Sequence, residues 1–395
     1  MDMISIRPGY PDFLDLPWHL PLIQWPGNCP RLEDAPRGLS RHPVVFVNYD
    51  SVLYALKELP PLLAEHEFLI LEKAEFMRLP VVVPIGLIRT HNLHGDACML
   101  ITRYLDSSLP YRSLFMSSNL MRYRKGLLDA MAGLMVQLHL AEVYWGDCSL
   151  SNTLFRRDAG ALQAYLVDAE TAEIFSGGIP AAQRYYDLEI MEENIDGDLS
   201  DLSFANLLAE GVPISDTGAY VRQRYQLLWD EITREELINP GEHYRIQERI
   251  RALNSLGFSV GEVELAPTNS GDQLRLRVVI TDRNFHRQQL LNLTGMDAQE
   301  TQARQIMNEI QELKANLSRL HNRSTLLSVA AYHWLEQVYR PAMERLIVLS
   351  ATSQDLPELY CQVLEHKWFL SEREKHDVGH QAAISDYLLQ FDKYI

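Results

Sequence analysis

The 395 residues, 47% hydrophobic and 23% charged, have the balance of a globular protein, are too many for one ordinary domain, and exclude a disordered or fibrous chain. Fifty-three acidic against thirty-six basic side chains leave a formal charge of −17, which disfavours nucleic acid and anionic membranes as partners. No run approaches the roughly 18 apolar residues of a membrane span, the N-terminus lacks the basic and apolar regions of a leader peptide, and Cys29, Cys98, Cys148 and Cys361 form no C-x-x-C pair; a cytoplasmic protein with free thiols is expected.

Residues 1–36 interleave frequent prolines with Tyr10, Phe13, Trp18 and Trp25. Proline forbids a long helix and the aromatics demand burial, so this segment reads as an extended strap across a domain surface. The run PVVFVNYDSVLYALKEL then reads as two strands turning at Asn48 to Ser51, with Lys57 near the end of the second. Pro60 and Pro61 break the strand. The following helix shows periodicity through Leu63, Phe68, Leu71 and Phe76 and carries glutamates at 65, 67, 72 and 75. Glu67, two turns in, is the expected partner of Lys57 in preference to Glu72. Two further apolar strands, VVVPIGLIRT and ACMLITRYL, flank the polar turn HNLHGD, so that five short strands and one helix make a small antiparallel lobe. Beyond a hinge at SSLPYRSLF, residues 121–142 form a core helix through Leu127, Met131, Leu134, Met135 and Leu138. His139 near its end reads as a hydrogen-bonded structural histidine.

That helix leads into HLAEVYWGDCSLSNTLFRRDAGALQAYLVDAET. Asp147 is followed five positions later by Asn152 and, after an apolar hairpin, by Asp168 at the end of a strand-like run. Three hard oxygen donors at strand ends suit magnesium held against nucleotide phosphates. On the next helix Asp187 either pairs with Arg184 one turn away or braces the Asp147 loop from below. From residue 211 the character changes. A helix ends at Gly257, two alternating strands flank a Ser-Gly-Asp turn, and long helices follow with interruptions at Thr294 and Gly295 and at Pro341. Arg245, Arg249, Arg251, Arg275, Arg277, Arg283 and Arg287 crowd this α-β-β-α module. They read as solvated faces balanced by neighbouring acids, with a nucleic-acid surface as the sharper alternative. His366, His376 and His380 have a spacing that suggests a metal, but Gly379 interrupts it.

Strand lysine, helix glutamate, hinge, D-x-x-x-x-N and strand-end aspartate supply, in that order, what phosphoryl transfer needs: a cation on the phosphates, its positioning carboxylate, a carboxylate facing the acceptor hydroxyl, and oxygen ligands for a metal. The arrangement resembles the protein-kinase-like superfamily over roughly residues 35–210. More narrowly, it resembles a divergent bacterial branch that includes lipopolysaccharide-core kinases and aminoglycoside-type phosphotransferases. Taken whole, and helped by HRQQLLNLTGMDAQETQAR and LEHKWFLSE, the chain is similar to a bacterial family in which such a half is fused to a C-terminal domain of unknown function. The resemblance implies an α+β bilobal kinase-like fold, with the N-terminal lobe at 37–106 and the C-terminal lobe at 107–210. A mostly helical domain containing a β-hairpin follows at 211–395. It implies Lys57, Glu67 and Asp147 as catalytic residues, and Asn152 and Asp168 as ligands of Mg2+ serving ATP.

Departures from the family pattern shape the expectation. The turn DAPRGLSRH has only Gly38 where glycines would cover the phosphates, so Ser40, Arg41 or backbone amides take that role. Trp145 and Gly146 replace His-Arg, which argues against control by a phosphorylated loop. The segment after Asp168 is short and lacks Ala-Pro-Glu, favouring a small molecule or glycan as acceptor over a protein. Glu170 is either an additional metal ligand or an exposed carboxylate. The expected function is an ATP- and magnesium-dependent phosphotransferase acting on an unidentified hydroxyl. The alternative is a pseudokinase that binds nucleotide and works as a scaffold, with a protein partner on its C-terminal domain. A third reading makes the arginine-bearing module a nucleic-acid reader.

Overall fold

The computed structural model describes residues 3–35, 41–92, 95–116, 121–209, 212–239, 242–256, 258–267, 274–349 and 356–391. The chain forms two compact units. The first comprises residues up to Arg156 and Leu162–Glu231, and the second Arg157–Ala161 and Ile232–Ile395. The fold is α+β, as expected: a small antiparallel sheet lobe, a helical lobe, and a mostly helical C-terminal region.

The first unit opens with strand β1 (Met3–Ile6), followed by β2 (Val44–Tyr49), β3 (Val52–Leu59), helix α1 (Pro61–Phe76), β4 (Pro84–Asn92) and β5 (Gly95–Arg103). The sheet order is β1-β4-β5-β3-β2, antiparallel throughout. Four of the strands lie where the alternation placed them. The fifth, β1, comes from the proline-rich segment, where Met3–Ile6 pair with Gly86–Arg89. Gly86 permits this approach, because a Cβ there would lie 2.4 Å from the Ser5 carbonyl oxygen. Asp50 and Ser51, both at positive φ, make the tight turn between β2 and β3.

Strand alternation decides which side chains face the cleft. Tyr54, Leu56 and Glu58 of β3 face the strap. There Phe13, Leu16, Trp18, Leu22 and Trp25 form one apolar cluster with Tyr54, Leu56, Met99 and Ile101, and Glu58 accepts the backbone N–H of Leu22 at 2.9 Å. Lys57 therefore projects from the opposite face. Helix α1 starts with Pro61 in its first turn, where the missing N–H costs nothing. Its buried stripe is Ala64, Glu67, Ile70, Leu71 and Ala74, so of the residues the periodicity named Leu71 is buried, Leu63 and Phe68 are half-buried and Phe76 is 87% exposed. A carboxylate on a buried stripe needs a partner, which Lys57 supplies.

The helical lobe contains β6 (Ser108–Pro110), α2 (Tyr111–Met116), α3 (Met121–Leu140), β7 (Val143–Tyr144), β8 (Thr153–Asp158), β9 (Ala161–Leu166), β10 (Glu173–Ile174), α4 (Ala181–Phe204) and α5 (Thr217–Thr233). Leu127, Met131, Leu134, Met135 and Leu138 of α3 are all buried. Strands β6, β8 and β9 form one small sheet and β7 and β10 another, so Asn152 and Asp168 flank the two strands of a hairpin.

The second unit contains β11 (Glu236–Ile238), α6 (His243–Ser255), β12 (Ser259–Pro267), β13 (Leu274–Asp282), α7 (Phe285–Thr294), α8 (Glu300–Leu320), α9 (Leu327–Trp334), α10 (Arg340–Leu346), α11 (Leu356–Glu374) and α12 (Gly379–Phe391). The expected hairpin of β12 and β13 gains β11 as a third strand. Gly295, at φ 75°, ends α7 in the left-handed conformation, and Pro341 sits in the first turn of α10 after a π-helical turn at Leu335–Tyr339. Asp158 is buried within this unit and accepts the N–H groups of Thr301 and Gln302 at 3.1 and 2.8 Å, satisfying the first turn of α8. Glu309 is half-buried with three donors around it, Trp334 Nε1 at 2.7 Å, Tyr360 Oη at 2.6 Å and His380. These partners, together with the His366–Asp386 pair at 2.8 Å, make His366 and His380 structural, while His376 is exposed and meets the Glu374 carbonyl. The suggested metal cluster is not formed. Arg245, Arg249, Arg275, Arg277 and Arg287 each pair with a nearby carboxylate, as solvated and packed faces do. Among the described residues no helix is long and apolar enough to cross a membrane, and the four cysteines are free and buried.

Candidate active site

Strand β3 and helix α1 bring Lys57 Nζ to 3.0 Å from Glu67 Oε2, and the end of β9 brings Asp168 Oδ2 to 2.6 Å from the same ammonium. Glu72 is exposed on the opposite side of the helix. Burial alone would depress the Lys57 ammonium, but Glu67 and Asp168 together hold it above its ordinary value. Burial, reinforced by the Asp168 charge and opposed by Lys57, pushes the Glu67 carboxyl up to about 7. Glu170 Oε2 lies a further 3.7 Å from Lys57, so three carboxylates share one ammonium and the cluster carries excess negative charge. Oxygens of Glu67, Asp168 and Glu170 all lie within 4.8 Å of one another.

Asp147 sits on the loop between β7 and β8, whose conformation is set by its own residues. Gly146 is at φ 81°, and a Cβ there would meet the Thr171 carbonyl oxygen at 2.9 Å. Trp145 is buried, and its indole N–H donates to the Asp168 carbonyl at 2.9 Å, tying this loop to the end of β9. Asn152 Nδ2 donates to both the backbone oxygen of Asp147 and its Oδ2, at 3.0 and 3.1 Å.

Asp187 braces the loop. Its Oδ2 accepts the Trp145 N–H at 2.9 Å and pairs with His139 Nε2 at 3.0 Å, while its Oδ1 accepts the Gly146 N–H at 2.8 Å and the Cys148 thiol at 2.9 Å. Burial would raise this carboxyl, but the His139 bond and the donors around it keep it below the usual range. Burial lowers His139, whose Nδ1 meets Tyr225 Oη at 2.9 Å, and raises the Cys148 thiol well above its ordinary value. Both are packing groups and neither lines the cleft. The i,i+3 pair with Arg184 does not form; that guanidinium lies 3.8 Å over the Trp229 ring.

A cavity of about 410 Å³ joins these parts. It is lined by Asp147, Asn152, Asp168 and Glu170, by Arg41 and His42, by Ser149 and Ser151, and by Asn194, Gly197, Asp198 and neighbouring acids of α4. Arg41 Nη2 lies 2.7 Å from Asp147 Oδ2 and His42 Nε2 3.4 Å from Glu170 Oε2, so the residues preceding β2 place a guanidinium and an imidazole over the carboxylates. Ser40, the other side chain considered for phosphate contact, lies outside the described residues. His42, Asn194 and Asp198 had no spacing signal linking them to Asp147. Only the positions of Asp187, Asn194 and Asp198 at i, i+7 and i+11 on one helix face hint at a shared role.

Residues 227–391 match the family described as “Domain of unknown function (DUF4032)”. That is the C-terminal domain the fused arrangement implies. The match covers residues 232–391 of the second unit and the end of α5, and leaves Arg157–Ala161 and the cavity outside it. No curated protein matches the chain. Among solved structures, one titled “WaaP in complex with acyl carrier protein” is similar at 14% identity over 50% of this chain and 88% of that one, with a TM-score of 0.32.

Proposed function

We propose that the first unit is an ATP- and magnesium-dependent phosphotransferase acting on a hydroxyl of a small molecule or glycan. The observation that carries this reading is the convergence of Lys57, bonded to both Glu67 and Asp168, with the Asp147–Asn152 pair beside one cavity. The residues fit a hard divalent cation. Glu170 Oε2 is buried and accepts no hydrogen bond, the three carboxylates exceed their one lysine, and the Asn152 amide nitrogen is committed to Asp147, leaving its carbonyl oxygen to offer. Asp168, Asn152 and Glu170 would hold the ion. When bound, magnesium neutralises charge on the transferring phosphoryl group. Lys57 binds phosphate oxygens and Glu67 orients Lys57. Arg41 contributes positive charge where glycines are few. Asp147 accepts the acceptor's proton. The short segment after Asp168 supports a small acceptor.

The test is ADP release from ATP by the full chain. Asp147→Ala should reduce turnover to a small residual rate while a nucleotide-induced thermal shift persists, and Asp168→Ala should lose the magnesium-dependent part of that shift. Turnover unchanged in both variants refutes the assignment. A thermal shift in a wild type that never turns ATP over would instead favour the pseudokinase reading, in which the C-terminal domain binds a protein partner.

A further inference from the structure

We propose that Asn194 is a positioning residue for the Asp147 base, and that Asp147 Oδ1 is the oxygen that takes the acceptor's proton. This rests on the phosphotransferase reading and deepens it. A carboxylate oxygen has two lone-pair directions. On Asp147, Oδ2 receives Arg41 Nη2 at 2.7 Å and Asn152 Nδ2 at 3.1 Å, which occupies both. Oδ1 receives Asn194 Nδ2 at 3.1 Å and keeps one direction free. Asn194 lines the same cavity, and its amide also donates to the Cys148 carbonyl at 3.2 Å, so its orientation is fixed at two points.

Helix α4 makes this possible. Residues seven and eleven apart return to nearly the same face of an α-helix. Asp187 holds the backbone N–H groups of Trp145 and Gly146, Asn194 holds the Asp147 side chain and the Cys148 carbonyl, and Asp198 accepts the Ser151 N–H at 3.0 Å. The helix is a ladder for the loop, and Asn194 is the rung of these three that grips the base itself. In the step it serves, the acceptor oxygen forms a bond to the γ-phosphorus of ATP. The bond from that phosphorus to the bridging oxygen breaks with its electron pair leaving on ADP, and the acceptor proton passes to Oδ1 and then to solvent. A base whose remaining lone pair is aimed by Asn194 meets that proton without a search over carboxylate rotamers.

The experiment is a double-mutant cycle on the full chain, with water as the phosphate acceptor and ADP release from magnesium–ATP as the readout. Asn194→Ala, and the volume-conserving Asn194→Leu, should lower kcat roughly ten- to hundredfold with KM for ATP unchanged. Asn194→Ala added to Asp147→Ala should cause no further loss, because the amide then has no carboxylate to aim. A kcat within about twofold of wild type in both single variants, or a loss that multiplies with that of Asp147→Ala, overturns the proposal while leaving the phosphotransferase reading intact. Wild-type turnover in Asp147→Ala, or no turnover in the wild type, overturns both.

Discussion

Replacing Asp187 by alanine should cost the first unit about 4 kcal/mol. The carboxylate is fully buried and accepts from two backbone N–H groups, a histidine and a thiol. Each buried N–H left without an acceptor costs about 1–3 kcal/mol, and bonds to a charged group stand at the upper end. Two such donors give about 2–6 kcal/mol, and water entering the vacated space recovers part of it. Against a typical domain stability of about 5–15 kcal/mol this is a large fraction. Asp187→Asn keeps the shape and one acceptor oxygen but turns an NH2 toward the remaining donors, so about 2 kcal/mol is expected. Urea unfolding followed by tryptophan fluorescence reads the effect. Trp18, Trp25, Trp145 and Trp229 report on the first unit, so its transition should move to lower urea. A loss below about 1 kcal/mol in Asp187→Ala would refute the claim that this carboxylate holds the loop.

Two further outcomes follow from the same geometry. Because the Glu67 carboxyl is raised in the fold from about 4.5 to about 7, the folded state holds a proton that the unfolded chain has released. Its contribution to stability is therefore present at acid pH and falls as pH rises through that window, and the melting temperature of Glu67→Gln should lack this slope; parallel pH profiles in the two proteins would contradict it. Gly146→Ala sets a Cβ 2.9 Å from the Thr171 carbonyl oxygen in a left-handed backbone, which should cost about 2 kcal/mol and displace Asp147 enough to lower ATP turnover about tenfold. An unchanged melting point and rate would show that the loop does not need its glycine.

Lys57, Glu67, Asp147, Asn152 and Asp168 were singled out because phosphoryl transfer requires such charged and amide side chains in one order along the chain, and the fold brings Lys57 to Glu67 and Asp168, and Asn152 to Asp147. The strands of 44–103 and the α3 core were legible from periodicity. What the sequence hides is long-range pairing. Strand β1 is a four-residue run whose partners lie some eighty positions on, so nothing local separates it from the proline-rich segment around it. The buried stripe of α1 was read only in part, at Leu71, because Ala64 and Ala74 pack inward while Phe76 remains exposed; small residues against a sheet carry little periodic signal. Asn194 is one polar residue in a helix rich in them, and its meaning comes from a partner 47 positions away. Asp158 likewise reads as a hairpin acid until the N-terminus of α8 supplies its donors.

The central claim is that the carboxylates around Lys57 form a metal-dependent nucleotide site, and calorimetric titration of ATP with and without magnesium measures it most directly. ATP should bind the wild type and Asp147→Ala when magnesium is present, and binding should fall away on chelation or in Asp168→Ala. Binding that is equally tight without the metal, or indifferent to Asp168→Ala, would contradict the account.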